Sequence, residues 1–404
     1  MKRKTVAIIG TIDTKENDYR FLKGWIEALG AATLVINTGI MGKPTMPVNI
    51  SAEEVAIAGG TSCEKLRRTG DFWKTIDVMS KGSAVIVKEL YEHKKINSII
   101  SIGGSNNTVI STSAMRALPI GVPKLMVTTL APGDTRPYVG DSDITMMPSV
   151  VNVSGLNLVS RRIYMNAAAS IVAMTKSTID LEVKDRPCIA TTIFGVTTPC
   201  VNYAKQLLEK SGYEVLVFHA LGTGGRSLEK LVKELPIKGV LDITTTELAD
   251  ELVGGCFSAG TDRLESAGEM GIPQIICPGA LDMVNFGPPE TVPNKYAHRK
   301  FYQWRPMHTL MRTNEEENDQ LGKIIAKKLN RSKGPVTFVL PKLGFSALDN
   351  DGKPFYDPNF DSSLAQSLKS HLNKNTKYME CANHINDEKF AETIVKLLLA
   401  DIKD

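Results

Sequence analysis

Residues 99–115, "IISIGGSNNTVISTSAM", read as a strand, a glycine corner and the start of a helix. Ile99, Ile100 and Ile102 make a β-branched run, Gly103 and Gly104 stop it, and apolar residues return from Val109 with helical spacing. The two glycines let the backbone turn sharply and let a ligand approach closely. The N–H groups of Ser105 to Thr108 then open the helix with a partial positive charge, for which an anion is the natural guest. A tight corner that binds nothing satisfies the same residues, and both readings stay open at this point.

The same alternation runs outward from this unit. "TVAIIG", "ATLVIN", "NSIISIG" and "PKLMVTT" are strand-like runs separated by helical segments. Further on, "CIATTIFG", "YEVLVFHA", "KGVLDITT", "PQIICPG", "PVTFVLP" and "KYMECANH" repeat the pattern. This is the signature of an α/β protein with open, mainly parallel sheets flanked by helices. In "KENDYRFLKGWIEALG", Phe21, Leu22, Trp25, Ile26 and Leu29 share one helical face, Gly30 supplies a C-terminal stop, and Asp13 with Glu16 has capping-box spacing. A helix or pair of helices is expected from about Val150 to Met174. Charge then rises and apolar periodicity fades in "TKSTIDLEVKDRP", which places a boundary near Asp180 and divides the chain into residues 1–180 and 181–404.

A chain of 404 residues suits two domains, and 42% hydrophobic with 23% charged residues can fill two cores. The net charge of +4 is spread without a long run of one sign, so no tail or stripe marks a nucleic-acid or anionic-membrane partner. The apolar run Val6–Ile9 is far too short for a signal peptide, and no stretch approaches the roughly 18 residues that span a bilayer. A soluble protein is expected. The six cysteines lie far apart without a C-x-x-C pair, which indicates neither a zinc site nor a disulfide framework and fits a reducing cytoplasm. Cys188 and Cys277 sit in strand-like runs as core thiols.

In open α/β sheets ligands bind beyond the carboxyl ends of the strands, so the loops after strands hold the candidates. In the first half these are "GTIDTKEN", "GGSNNT" and "APGDTRPYVGDSD". Asp13 and Thr14 could hold a magnesium ion through water while Lys15 meets phosphate, or Asp13 could simply cap the helix. Asp134 and Arg136 lie in a long polar loop, a length that is usually functional or mobile, and Arg136 suits a phosphate or carboxylate by its forked donors. No Walker-type phosphate loop is present, since "GIMGKP" has proline where Ser or Thr is required.

In the second half, "GTGGRS" repeats the anion-site logic with Arg226 and Ser227 at a helix start. Asp282 follows a strand as a candidate acid, base or metal group, and Arg312 as a candidate anion holder. His219 and His384 end strands and suit structural hydrogen bonds. "YAHRKFYQWRPMHTLMRTNEEEND" interleaves basic and aromatic residues, a pattern that can stack single-stranded bases; a lid or an arm packed on a partner subunit is favoured over nucleic acid.

Taken together, "GTIDTK", "GGSNNT", "LPIGVPK", "YVGDSDI", "PSVVNVSGLN", "TTTELADELVGG", "GALDMVNFGP", "LMRTNEEEN", "GFSALDNDGKPFYDP" and "HINDEKFA" run in order across nearly the whole chain. They resemble the ATP-binding family named for the inhibitory N-terminal part of the tomato mosaic virus resistance protein. The resemblance implies two Rossmann-like α/β domains, a homodimer, and ATP with Mg2+ on the first domain. Its nucleotide contacts carry over to Thr11, Asp13, Thr14, Lys15, Gly103, Gly104, Ser105 and Thr108, and by extension to Asp134 and Arg136. Where the family form reads G-G-S-G-G-T, this chain has Asn106 and Asn107, which either add hydrogen bonds to the nucleotide or narrow its pocket. The antiviral role of the plant protein depends on a particular surface and is not implied.

Two functions follow as expectations. One is a Mg-ATP-dependent enzyme acting on a small anionic metabolite in the cleft between the domains, with Arg312 holding the anion and Asp282 acting as base. The other is a non-catalytic nucleotide-binding module that regulates or binds a partner.

Overall fold

The computed structural model describes residues 3–177 and 186–403, so the expected boundary near Asp180 lies outside the described residues. Contacts divide the chain into two compact units, Met1–Leu181 and Glu182–Asp404.

The first unit carries strands β1 (Thr5–Gly10), β2 (Ala32–Asn37), β3 (Ser98–Gly103), β4 (Lys124–Thr128) and β5 (Thr145–Pro148). Its helices are α1 (Ile12–Ala28), α2 (Ala52–Ala58), α3 (Cys63–Thr69), α4 (Phe72–Glu92), α5 (Ser105–Arg116), α6 (Arg136–Val139) and α7 (Leu158–Lys176). All strand pairs are parallel, in the order β2-β1-β3-β4-β5. Alternate strand residues serve opposite faces, as the pleat requires. Ala7, Ile9, Ile99 and Met126 pack with Met79 and Val87 of α4 and Ala114 and Met115 of α5. Val6, Ile8, Ile100, Ile102, Leu125 and Val127 pack with Tyr19 and Leu22 of α1 and Tyr164 and Ile171 of α7. A sheet covered on both faces explains why every residue of β3 and β4 is buried.

Three local expectations are revised. Thr11, not Asp13, caps α1, and the Asp13 and Glu16 carboxylates reach across to the loop after β2, Asp13 to the N–H groups of Met41 and Gly42 and Glu16 to that of Thr45. The polar loop after β4 contains α6 and the edge strand β5, paired with β4. The helix expected from Val150 begins only at Leu158, where Asn157 accepts from the N–H groups of Val159 and Ser160. On α1, Leu22 and Ile26 are buried, but Trp25 and Leu29 sit at the rim of the apolar face.

The second unit has strands β6 (Cys188–Ile193), β7 (Glu214–His219), β8 (Ile237–Thr244), β9 (Gln274–Gly279), β10 (Met283–Phe286), β11 (Phe301–Arg305), β12 (His308–Arg312), β13 (Val336–Pro341) and β14 (Lys377–Cys381). Its helices are α8 (Thr198–Lys210), α9 (Thr223–Glu234), α10 (Glu247–Val253), α11 (Ser266–Glu269), α12 (Glu315–Leu329), α13 (Pro358–His371) and α14 (Glu388–Lys403). Six strands form a parallel sheet, β14-β13-β9-β8-β6-β7. Ile189, Leu241, Ile275 and Val339 face α8 and α14, while Ile276 and Phe338 face α12 and α13. The basic and aromatic segment is a β11–β12 hairpin paired with β10 in a three-stranded antiparallel sheet, order β10-β12-β11. The fold class is the α/β arrangement that the alternating pattern leads one to expect. Among the described residues no helix is long and apolar enough to cross a membrane.

Candidate functional site

In the first unit the strand order reverses at β1, whose neighbours are β2 and β3. Ligands of open α/β sheets bind at such a switch point, beyond the carboxyl ends of the strands. Here the crevice lies between the ends of β1 and β3, and helices of 17 and 12 residues, α1 and α5, start there. The cap residues Thr11 and Gly104 offer neither helix a side-chain hydrogen bond, so the first N–H groups are left to other partners. Ile12 N–H donates to Asn37 Oδ1 at 3.0 Å, and the carbonyl of Thr11 accepts from Thr14 and Lys15. Lys15 interrupts α1 with φ −129° and ψ 27°, and it forms no ion pair among the described residues. Ser105 and Asn106 are exposed at the mouth.

Gly103 and Gly104 differ in purpose. A Cβ on Gly103 would sit 2.6 Å from Asn107 Nδ2, whereas one on Gly104 would meet nothing within 4 Å. Gly103 makes room for the protein, and Gly104 leaves room for something else. Asn107 turns its side chain inward: Nδ2 donates to Ser101 Oγ at 2.9 Å, to the Ile102 carbonyl at 3.0 Å and to the Tyr19 hydroxyl at 3.1 Å. The Tyr19 hydroxyl donates to the Ile102 carbonyl in turn, and burial pushes the phenol up to about 12. Asn107 therefore neither donates its side chain to a ligand nor narrows the crevice, and of the two asparagines only Asn106 faces out. Thr108 Oγ1 is 2.7 Å from Thr128 Oγ1 and donates to the Gly104 carbonyl, which fastens the corner to the end of β4.

Asp13 Oδ2 accepts from Met41 N–H at 2.8 Å and Gly42 N–H at 3.1 Å, while Oδ1 is buried with no hydrogen-bond partner. Asp134 and Arg136, in the loop after β4, form a two-pronged pair of 2.8 and 2.9 Å with each other on the surface. Among the described residues no group of three or more His, Cys, Asp or Glu is placed to hold a metal ion.

The second unit gives its own answer for "GTGGRS". Glu247 Oε1 accepts from Gly222 N–H at 2.7 Å and Gly225 N–H at 3.0 Å, so the anion at this helix start is the protein's own carboxylate. A Cβ on Gly225 would lie 2.2 Å from Glu247 Oε2. Glu247 is bound by Arg263 at 2.7 Å, and Arg263, fully buried, also grips both oxygens of Asp242 at 2.6 and 2.8 Å. Burial works against the Arg263 charge, but Asp242 and Glu247 outweigh it and hold its pKa well above the usual value.

Asp282 is fully buried, with Oδ2 accepting from Ser346 Oγ at 2.7 Å and Oδ1 unpartnered. Burial and then Asp349 push its carboxyl up to about 7. Arg312 spends its five N–H groups inside the fold: Nε on the Phe355 carbonyl, Nη1 on the Asp282 carbonyl and Thr313 Oγ1, and Nη2 on Asp361 at 2.7 Å and the Asp357 carbonyl. No donor remains for a substrate anion in this arrangement, and Asp282 has no exposed surface from which to act as a base on a substrate. His384 is structural, with Nδ1 accepting from Asn386 N–H and Nε2 facing the Ser346 carbonyl.

Residues 4–180 match the Uncharacterised protein family (UPF0261) N-terminal domain, and residues 186–401 match the corresponding C-terminal domain. The chain belongs to the UPF0261 family. A UPF0261 protein of Clostridium tetani is 50% identical over 98% of this chain and 98% of its own length. The ToMV resistance protein of Solanum lycopersicum is 38% identical over 98% of this chain but 55% of its own length, so the resemblance read from the motifs holds. A solved UDP-N-acetylglucosamine 2-epimerase of Rickettsia bellii aligns over 99% of this chain and 97% of its own at 12% identity, with a TM-score of 0.22.

Residues around the UPF0261 corner that the sequence did not point to are Tyr19, Asn37, Ser101 and Thr128. Thr128 ends a strand, which was a usable signal. Tyr19 sits one helical turn past a kink, and Asn37 reaches the site through a hydrogen bond, so neither has a local signature.

Proposed function

We propose that the first unit binds the phosphates of ATP with Mg2+ in the crevice between the ends of β1 and β3, and that the protein is a Mg-ATP-dependent enzyme acting on a small anionic metabolite. The observation that carries this reading is the start of α5 at the switch point without a side-chain cap, beside Lys15, which forms no ion pair among the described residues. The N–H groups of Ser105 and Asn106 and the Lys15 ammonium would take phosphate oxygens, with Ser105 and Thr14 hydroxyls as further donors. Arg136 would join only by leaving Asp134. Asp13 fits a hydrated cation, because its buried Oδ1 lacks a donor that a metal-bound water could supply. Bound Mg2+ would neutralise phosphate charge. The unpaired cysteines suit the reducing cytoplasm as its place of work, and a homodimer rests on the family resemblance.

Melting the protein with and without ATP and Mg2+ tests binding, since a ligand of the native state raises stability by mass action. An increase that disappears in Gly104→Ala is expected; no increase in the wild type sinks the reading. A second reading, a nucleotide-binding regulator without turnover, is favoured by the engaged donors of Arg312 and the sealed Asp282. Release of ADP or AMP with any of a set of small carboxylic acids separates the two.

A further inference from the structure

At the carboxyl ends of β6 and β7, Phe194, His219, Phe257, Trp304, Arg305 and His308 line a pocket of about 220 Å³. Phe194 meets His219 at 5.7 Å and 84° and His308 at 6.0 Å and 77°, and Phe257 meets His308 at 5.1 Å and 74°. All are edge-to-face contacts. The floor is sealed, with Phe194 5% exposed, while Trp304 on the β11–β12 hairpin keeps 36% of its surface open at the rim. Gly195 borders the same space, where a Cβ would lie 3.7 Å from the Trp304 ring, at ordinary contact distance.

His308 is held from behind. Asp250 accepts from Asn285 Nδ2 at 2.9 Å and from Asn285 N–H at 2.6 Å, which fixes the amide so that Oδ1 faces His308 Nε2 at 3.2 Å. Nε2 then carries the proton of a neutral ring. Burial lowers the pKa of both His219 and His308, with Arg305 adding to the effect on His308. The walls are therefore uncharged, and the one cation at the pocket is Arg305, exposed and without an ion pair among the described residues.

We propose that this pocket is a ligand site of the second unit that takes a small planar aromatic ring carrying an anionic group, the ring against Phe194, Phe257 and Trp304 and the anion on Arg305. Its volume lies below the roughly 300–1,000 Å³ of pockets for drug-sized ligands, which limits the occupant to a single ring system. Every residue involved belongs to the second unit, so the proposal stands apart from nucleotide binding on the first.

Calorimetric titration of the full chain with benzoate and with phenyl phosphate tests it, with cyclohexanecarboxylate and benzamide as probes lacking the aromatic face or the charge. Saturable binding of at least one aromatic anion is expected, with cyclohexanecarboxylate about 2- to 10-fold weaker than benzoate if the rings contribute as aromatic pairs do. Trp304→Ala, at a rim position where folding is checked by an unchanged melting curve, should weaken the aromatic anions by a similar factor. Arg305→Gln should abolish the preference for benzoate over benzamide. No saturation by either aromatic anion, equal affinity for cyclohexanecarboxylate, or binding untouched by both variants would overturn the proposal.

Discussion

Asn107 and the two glycines before it carry the finest test of the corner. Asn107 serves three acceptors inside the fold, so Asn107→Ala should cost about 1–3 kcal/mol in urea unfolding, the penalty for stranding buried polar groups, and leave ATP affinity unchanged. Gly103→Ala forces a methyl onto Asn107 and should lose about 1–3 kcal/mol. Gly104→Ala places its methyl in open space, and should keep the wild-type unfolding curve while losing the ATP-dependent rise in melting temperature. Asp282 gives a pH signature. Its carboxyl, raised to about 7 by burial and then Asp349, keeps in the native state a proton that the unfolded chain gives up near pH 4. Stability should therefore fall as pH climbs from about 4 to about 7, by up to about 1.4 kcal/mol per pH unit for this one group. Asp282→Asn, neutral throughout, should flatten that part of the slope in unfolding curves taken at stepped pH.

Elements decide which helix starts are available. Two glycine corners look equivalent as strings, "GGSNNT" and "GTGGRS", yet Glu247 from the start of α10 fills the second and no side chain caps the first. The difference comes from where α10 lies, 22 residues beyond Gly225 in the chain. Glu247 is held there by Arg263 from the far side of the same network, along with Asp242 on β8. Removing the guanidinium strands two buried carboxylates, so Arg263→Ala should destabilise the second unit by about 3–5 kcal/mol in chemical denaturation. Element types were the most legible feature of the chain: each of the ten strand-like runs contains a strand, because β-branched runs bounded by glycine and polar residues have few other ways to pack. β5 escaped notice because "TMMP" is four residues long at a sheet edge, half exposed and without alternation. The Asp13–Glu16 cap failed for a different reason, since both carboxylates found better donors in the loop after β2, nearly 30 residues away.

Across the whole molecule, the two units have separate apolar cores and separate sheets. Calorimetry should resolve two unfolding transitions, and ATP with Mg2+ should raise only the one belonging to the first unit, by about 2.7 kcal/mol at a hundredfold excess over Kd. A shift of both transitions, or of the other alone, would count against a first-unit site. The sequence by itself determined the fold class, the existence of the two halves and the family, because hydrophobic period and motif order are properties of the linear chain. Tertiary structure decided which polar residues are available. Asn107, Arg312 and Glu247 each carry groups that suit a ligand, and each is occupied by the protein itself through contacts with residues distant in sequence. A buried donor or acceptor must be paired, and only the folded chain sets which partner it meets.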